Sequence, residues 1–191
     1  MTVELATHPK VKLRVEDFDL LAMNGGLEGL ERTELLDGDI YQMSPQYLAH
    51  GTAKALFYEA LLDWKREHRP ELALLSEISV AMPPNDEPMP DVILCEKPRG
   101  TKGVPVETVH LLIEIADTSR QRDMGYKKHL YARQGVPEYG VVDIDKRKVW
   151  QFSSPGVEGY EAEIEVPFGE ILRAATLAGL YVETVEMSRE L

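Results

Sequence analysis

Cysteine and long apolar runs are the features that this sequence has least of. Its 191 residues include one cysteine, Cys95, so no disulfide forms within the chain and a disulfide-stapled secreted domain is excluded. Cys95 lies in the apolar run 92–95, which is typical of a buried core residue. No apolar stretch reaches the ~20 residues that span a bilayer, and residues 1–14 contain no signal-peptide core. We therefore expect a cytoplasmic protein with no membrane partner.

Positive charge is also scarce. The sequence has 21 Lys and Arg against 33 Asp and Glu, a formal net charge of −12. Proteins that coat nucleic acid or bind anionic membranes carry basic surfaces, so both classes are excluded. With 43% hydrophobic and 28% charged residues, the composition is that of a folded globular protein. The length fits one domain with a core of its own.

The motifs of several enzyme classes are absent. The sequence has no glycine-rich phosphate-binding loop, no Cys-x-x-Cys pair and no His-Glu-x-x-His run. Nucleotide-driven motors, cysteine zinc sites and zincin proteases therefore have no support. Repeats and low-complexity segments are absent as well, so the prediction of the fold depends on the pattern of helices and strands.

Helical and strand patterns alternate along the chain. Asp37-Gly38 between two apolar runs predicts an N-terminal β-hairpin. Other patterns predict helices over 15–23, 46–67 and 120–134, and strands over 72–82, 91–96, 109–115, 138–143, 148–152 and 160–166. This order predicts an α/β (α+β) fold with a mixed β-sheet flanked by helices. We expect residues 1–14 to be loosely ordered and residues 15–191 to form a single domain.

Two carboxylates lie where an apolar core is expected. Asp91 begins an apolar strand, and Glu114 lies between Ile113 and Ile115 in the most apolar strand. An ionised carboxylate is costly to bury alone, so Glu114 requires a cation, hydrogen-bond donors or a raised pKa. Two carboxylates on adjacent strand ends can hold Mg²⁺, which prefers oxygen ligands. Lys127, on the helix that follows, could then stabilise the transition state of phosphodiester hydrolysis.

These residues also have plainer interpretations. Glu114 could form an internal ion pair or lie near a strand end, and Lys127 could lie on a solvated helix face beside Lys128. Glu34, in the first strand of the predicted hairpin, could supply a third carboxylate to the same site. The residues lie far apart in sequence, so their spacing does not decide between these alternatives. Convergence of the three carboxylates near Lys127 would favour the nuclease interpretation, and scatter would exclude it.

Five ordered blocks of sequence together resemble a known family. They are 34–39 (ELLDGD), 87–92 (EPMPDV), 113–119 (IEIADTS), 123–127 (DMGYK) and 131–139 (YARQGVPEY). Their order and spacing are similar to those of the Uma-type family of restriction endonucleases (uncharacterised domain 820), within the PD-(D/E)xK nuclease superfamily. The resemblance covers about residues 15–152, the family-like core. Residues 153–191 are then an acidic C-terminal extension of the same domain.

The resemblance implies a restriction-endonuclease-like core and a metal-dependent endonuclease that hydrolyses phosphodiester bonds of DNA. Asp91 matches the Asp of the family's Pro-Asp motif and Glu114 the acid of its second half-motif. Both are implied to be ligands of Mg²⁺, with Mn²⁺ as the alternative metal. The superfamily's lysine two residues after that acid is absent, since position 116 is Ala116, and Lys127 stands where the family places it. Glu34 matches an N-terminal acid that assists the metal site.

Five other positions carry weaker signals. Position 77 is Glu77 where the family has Gln, and an added carboxylate there could change metal affinity or face solvent. Position 140 is Gly140 where an aromatic residue is common, which affects packing. His50 could support the site or be an ordinary polar residue at a helix N-terminus. We expect Tyr131 to pack on the sheet and Asp143 to have a structural role.

Charge is polarised along the chain. Residues 119–133 contain five bases and one acid, a net charge of +4, whereas residues 154–191 contain two bases and eight acids, a net charge of −6. We expect the basic helix to face substrate phosphates, with Arg120, Arg122 and Lys128 as contacts. Both stretches could also be ordinary solvated faces.

Two other functions stay open at this point. One is a catalytically inactive nuclease-fold module that binds DNA or has a regulatory role. The other is a small interaction protein without a nucleic-acid role, which the net acidity favours. For the nuclease, a homodimer is expected because two sites are the simplest way to cut two strands.

Overall fold

The computed structural model describes residues 10–30, 32–100 and 102–190. In these ranges the chain forms an α+β fold around a six-stranded mixed sheet, with helices packed on both faces and a β-hairpin near the N-terminus. The fold class and the hairpin predicted from the sequence are confirmed. Most of segment 1–14, predicted to be loosely ordered, lies outside the described residues.

The helices and strands have the following bounds. They are α1 Val15–Met23, β1 Thr33–Leu36, β2 Asp39–Gln42, α2 Leu48–His68, β3 Leu72–Leu75, β4 Val80–Ala81, β5 Val92–Glu96, β6 Val104–Pro105, β7 Val109–Ala116, α3 Arg120–Arg122, α4 Lys128–Arg133, β8 Glu138–Asp143, β9 Lys148–Gly156, β10 Gly159–Pro167, β11 Ile171–Arg173, β12 Tyr181–Glu183 and α5 Val185–Glu190. The central sheet has the order β10-β9-β8-β7-β5-β3. β7 and β8 are parallel, and the other neighbours are antiparallel.

The strands β7 and β8 form the middle of the core. Both are buried along almost their whole length, because the sheet is covered on each face. Phe57 and Leu61 of α2 pack on one face together with the β11–β12 hairpin, and Leu130 of α4 packs on the other. A strand covered on both faces has a nearly continuous apolar sequence, and β7 has one. A charged residue within β7 therefore lies in the interior.

The strand predicted over 72–82 is wrong in its middle. β3 ends at Leu75, and β4 begins at Val80 and pairs in parallel with β6 instead of continuing in the central sheet. Glu77, between them, has φ of +55°, in the left-handed region that a continuous strand does not contain. The chain turns there, so Glu77 leaves the line of the strand.

The helix predicted over 120–134 is composite. The short helices α3 and α4 are joined by a π-helical segment, Asp123–Lys127. A π turn is wider than an α turn, so it changes which side chains face the interior. Asp123 and Lys127, the first and last residues of the segment, are both buried.

The sequence predicted a cytoplasmic location and a buried Cys95, and the structure confirms the second. None of the helices in the described ranges is long and apolar enough to cross a membrane, and the cytoplasmic location stays a prediction. Cys95 is fully buried in β5, as predicted, and burial raises the pKa of its thiol to about 11.

The N-terminal hairpin is attached to the rest of the molecule through backbone hydrogen bonds. The Leu35 N–H donates to the Glu87 carbonyl at 3.1 Å, and the Glu87 N–H donates to the Leu35 carbonyl at 2.7 Å. At the hairpin turn, the Gly38 carbonyl accepts from the Leu13 N–H at 3.0 Å. Gly38 has φ of +70°, and a Cβ there would lie 2.6 Å from the Lys12 Cβ. The turn therefore requires glycine for both conformation and space.

We expect Gly38→Ala to destabilise the protein by about 2 kcal/mol or more, because it adds a steric clash to the ~1 kcal/mol strain of a left-handed alanine. Gly135→Ala is the matched control, since Gly135 has φ of +76° and no atom within 4 Å of the added Cβ. Urea unfolding measures both free energies. Equal losses for the two variants would contradict the close approach of the hairpin turn to residues 12 and 13.

Candidate active site

Asp91 and Glu114 come from neighbouring strands of the central sheet. Asp91 directly precedes β5 and Glu114 lies within β7, and Val92 pairs with Ile113 across these strands. The Ile115 N–H donates to Asp91 Oδ2 at 2.8 Å, so the sheet backbone itself orients this carboxylate. Each of the two acidic residues is only 3% exposed.

Glu34 reaches the same place from the N-terminal hairpin. It lies in β1 and is fully buried. Its Oε2 atom lies 2.8 Å from Lys127 Nζ. Because β1 is held by the backbone pairing of Leu35 with Glu87, the attachment of the hairpin determines where the Glu34 carboxylate lies.

Lys127 is at the centre of this cluster. Its side chain is 1% exposed, so it does not lie on a solvated helix face. Nζ lies 2.8 Å from Glu34 Oε2, 2.9 Å from Glu114 Oε1 and 4.0 Å from Asp123 Oδ1. Asp91, Glu114 and Lys127 all line one cavity. Glu34 and Glu114 thus contact Lys127 directly, and Asp91 lines the cavity beside it.

Tyr131 both packs on the sheet and contacts the cluster. Its ring packs edge-to-face against Tyr139 of β8, with the ring centroids 4.9 Å apart. This confirms the predicted packing on the sheet. Its hydroxyl also donates to Glu114 Oε1 at 2.9 Å, a contact that the sequence did not indicate. Oε1 of Glu114 thus accepts hydrogen bonds from both Lys127 and Tyr131.

Asp91 has two side-chain partners on the other side of the cluster. Its Oδ1 lies 2.9 Å from His50 Nε2 and 3.0 Å from Gln46 Nε2. His50 is thus part of the site and not only a residue at the start of α2. Gln46 and Asp123 were missed in the sequence. A spacing of four residues before Lys127 was the only signal for Asp123, and Gln46 stands in a loop without any pattern.

Burial governs the protonation of this cluster. Desolvation, only partly offset by Lys127, raises the pKa of Glu114 to about 8. Desolvation likewise raises the pKa of Asp123. For Lys127, burial opposes the charged form, but the carboxylates of Glu114, Glu34 and Asp123 outweigh it and raise the pKa of the ammonium. Lys127 is therefore protonated at neutral pH and acts as a hydrogen-bond donor, not as a base.

The cluster has more negative than positive charge. Four carboxylates (Glu34, Asp91, Glu114 and Asp123) face two permanent cations, Lys127 and Arg122, whose Nε lies 3.4 Å from Glu34 Oε1. With all four ionised the excess is two negative charges, and the raised pKa values of Glu114 and Asp123 reduce this excess at neutral pH. Two carboxylate oxygens, Glu34 Oε1 and Asp123 Oδ1, are buried and have no hydrogen-bond partner among the described residues.

These observations fit an oxygen-preferring divalent cation such as Mg²⁺. The adjoining cavity has a volume of about 40 Å³, enough for an ion or a few waters. Within residues 10–30, 32–100 and 102–190, no three His, Cys, Asp or Glu side chains already surround a point as metal ligands do. The Lys127 ammonium lies between the carboxylates of Glu34 and Glu114.

Of the three predicted substrate contacts, the structure places only Arg122 at this cavity. Arg120 Nε donates to Asp143 Oδ2 at 2.5 Å. Lys128 pairs with Glu163 at 2.7 Å, and its ammonium lies 4.1 Å from the centre of the Phe152 ring. The sequence did not show these partners, since they lie 23 and 35 residues away.

The positions that depart from the family's pattern lie beside the site or outside it. Glu77 Oε1 forms ion pairs with Arg32 Nη2 at 2.8 Å and Lys54 Nζ at 3.0 Å, so it neither faces solvent alone nor joins the buried cluster. Gly140 lines a separate apolar cavity of about 20 Å³ in the core, where it affects packing. Asp143 accepts the Lys146 N–H at 2.9 Å, in the turn that follows β8.

A mixed sheet that brings two strand carboxylates, a hairpin carboxylate and a helical lysine together defines a restriction-endonuclease-like protein, the class expected from the sequence. Residues 15–186 match the model of the Uma2 family, described as "Putative restriction endonuclease", and the chain belongs to this family. The sequence resemblance covered about residues 15–152, whereas the family model extends to residue 186 and includes most of the C-terminal segment 153–191.

A solved structure has the same fold. It is the crystal structure of a "putative nuclease belonging to DUF820" from Anabaena variabilis, with a TM-score of 0.69 over 90% of this chain and 95% of that chain. The two sequences are 14% identical, so this likeness concerns the fold alone. No curated protein sequence matches the chain.

We expect Lys127→Met to destabilise the protein by about 3–5 kcal/mol at pH 8, because it leaves buried carboxylates without their cation. The loss should shrink at pH 5. Acids whose pKa is raised in the folded state favour folding when protonated, and this contribution disappears as the pH rises. Urea unfolding at the two pH values measures the effect. Lys128→Met is the control, with an expected loss of about 1 kcal/mol or less at either pH. Similar losses for the two lysines, or a loss that does not change with pH, would contradict this account of the cluster.

Proposed function

We propose that the chain is a metal-dependent endonuclease that hydrolyses phosphodiester bonds of DNA. The observation that carries the proposal is the contact of Lys127 with Glu34 and Glu114 beside a small cavity that Asp91 also lines. Buried charge of this kind destabilises a fold unless it is balanced, so a role in chemistry accounts for it better than a structural role. Membership of the Uma2 family supports the same reaction.

Asp91 and Glu114 would hold Mg²⁺ or Mn²⁺, with Glu34 in support. When bound, the metal lowers the pKa of a coordinated water and offsets negative charge on the phosphate. Asp91 suits this role because the Ile115 N–H and the Gln46 amide already fix its orientation. Oδ2 keeps a lone pair beside the one that the Ile115 N–H uses.

Lys127 would orient the attacking water or stabilise the charge that develops on the phosphate. Its raised pKa keeps it protonated, so it serves as a donor and does not remove a proton. Arg122, half-buried at the edge of the cavity, would contact a phosphate oxygen. Arg120 and Lys128 would first have to leave Asp143 and Glu163, so their predicted contribution to substrate binding is smaller.

The second candidate is a catalytically inactive nuclease-fold module that binds DNA or has a regulatory role. One observation favours it: the Lys127 ammonium already lies between the carboxylates of Glu34 and Glu114 and forms an ion pair with each. Homodimerisation, like the cytoplasmic location, stays a prediction from the sequence. Metal binding and cleavage distinguish the two candidates.

Removal of one metal ligand should abolish cleavage. We expect Asp91→Asn to reduce Mg²⁺-dependent cleavage of DNA by about 10²- to 10⁴-fold, the range typical when a group that acts on the transition state is lost. Asp117→Asn is the control, because Asp117 lines the same cavity outside the buried cluster and should keep most activity. Cleavage that persists in Asp91→Asn would show that the reaction occurs elsewhere or that a contaminant performs it.

Metal binding should also stabilise the fold. At about 100 times the dissociation constant, Mg²⁺ or Mn²⁺ should add ~2.7 kcal/mol, a rise in melting temperature of about 5–10 °C for a chain of this size. Calorimetry with and without EDTA measures the rise, and Asp91→Asn should reduce it strongly. A wild-type protein whose melting temperature does not respond to either metal would favour the inactive module.

A further inference from the structure

A second cavity adjoins the catalytic one. It has a volume of about 540 Å³, within the 300–1,000 Å³ that small-ligand sites usually have. Ser44, Thr118, Ser119 and Arg122 line both cavities. A substrate whose reacting bond lies in the first cavity would therefore extend into the second, which we call the Tyr41 groove.

Tyr41 lies on the same face of the hairpin as a candidate catalytic acid. In the β1–β2 register Tyr41 stands directly opposite Glu34. Side chains directly opposite one another in an antiparallel pair point to the same face, with Cβ atoms ~5 Å apart. Glu34 is fully buried, whereas Tyr41 is 44% exposed and lines the groove. The hairpin thus presents an open aromatic ring next to the buried carboxylate.

The other lining residues complete a surface suited to a nucleotide. The Tyr126 hydroxyl donates to Asp86 Oδ1 at 2.6 Å, which anchors its half-buried ring at the groove. Arg122, at the junction of the two cavities, is 28% exposed, and its Nε lies 3.4 Å from Glu34 Oε1. Asp37 also lines the groove, and Lys12 Nζ lies 3.1 Å from it and 2.7 Å from Asp39, so one cation is shared by two carboxylates. Aromatic rings beside a guanidinium bind a base and its phosphate.

The net negative charge of the chain favours base stacking over phosphate contacts as the main source of affinity for DNA. Duplex binding depends on many contacts between basic side chains and phosphates. The chain has a net charge of −12, and Arg120 and Lys128 on the basic helix are paired with Asp143 and Glu163. Stacking on aromatic side chains requires no such excess of positive charge, and it requires bases that are free of a duplex stack.

We infer that the Tyr41 groove holds an unstacked base next to the phosphodiester bond that is cut, so that the substrate is single-stranded DNA or a single-stranded stretch within a duplex. This inference rests on the proposed nuclease function. Tyr41 would stack on the base, Tyr126 would form the other wall, and Arg122 would contact the phosphate that joins the two cavities. Tyr41 is thereby a residue that determines specificity for strand form.

The test compares the affinities of two forms of DNA in EDTA, where no metal-dependent cleavage occurs. Fluorescence anisotropy measures binding of a labelled single strand of about 12 nucleotides and of the matching duplex. Tyr41→Leu should weaken single-strand binding by about 10-fold or more, the effect of losing one stacked base, and change duplex binding by less than about 2-fold. Tyr41→Phe, which keeps the ring, should bind as the wild type does.

Tyr181→Leu is the matched control. Tyr181 is 49% exposed, about as open as Tyr41, but it lies in β12 and lines other cavities. It should leave both affinities unchanged. A second measurement uses the wild type alone: a single strand that carries 5-iodouracil should photocrosslink to the peptide that contains Tyr41, so the test does not depend on the folding of a variant.

The outcomes separate this inference from the proposed function. If the wild type cuts DNA with Mg²⁺ but Tyr41→Leu binds single strands normally, or the crosslink maps elsewhere, the inference is wrong and the nuclease stands. If Tyr41→Leu weakens single-strand and duplex binding equally, the groove does not select strand form. A wild type that neither binds nor cuts any form of DNA would overturn both.

Discussion

The ammonium group of Lys127 holds this structure together at its functional end. It lies within hydrogen-bond distance of Glu34 from the hairpin and Glu114 from the central sheet, and it comes from the segment between α3 and α4. These three elements are distant in sequence, and without a shared cation their carboxylates would repel one another in a medium of low polarity. One buried charge thus fixes where the hairpin, the sheet and the helical segment meet. The π-helical segment belongs to the same arrangement, because its wider turn sends both Asp123 and Lys127 inward.

The same group accounts for the chemistry that we propose. A buried cluster with four carboxylates and two permanent cations is short of positive charge, and a divalent ion is a natural way to supply it. The net negative charge of the whole chain also bears on how it would bind DNA. An acidic protein gains little from long-range attraction to DNA, so affinity has to come from local contacts, and the aromatic Tyr41 groove beside the cavity offers them. The charge balance of the site and the proposed preference for single strands both follow from this shortage of positive charge.

Much of the site could be predicted from the sequence, for identifiable reasons. Glu114 is an acid within an apolar strand, and Asp91 begins another, so both stand out from local pattern alone. Lys127 does not, and its assignment depended on the family resemblance. The partners of Arg120 and Lys128 lie on distant strands, and no local pattern shows them. The strand predicted over 72–82 is interrupted near the left-handed Glu77, whose ion-pair partners Arg32 and Lys54 lie 45 and 23 residues away in sequence. By contrast, the place of Tyr41 was accessible: a two-residue Asp37-Gly38 turn sets the register that puts it opposite Glu34.

The position of the lysine in the chain has a consequence for how members of this family are recognised. Ala116 occupies the strand position two residues after the acid, and a helical residue 13 positions after Glu114 supplies the amine instead. The distance between acid and amine is therefore set by how a helix packs on a sheet, not by the rise of a single strand. The number of residues between the acid and the lysine can therefore change while the carboxylate and the amine stay in contact. A search that requires the lysine two residues after the acid passes over chains of this kind.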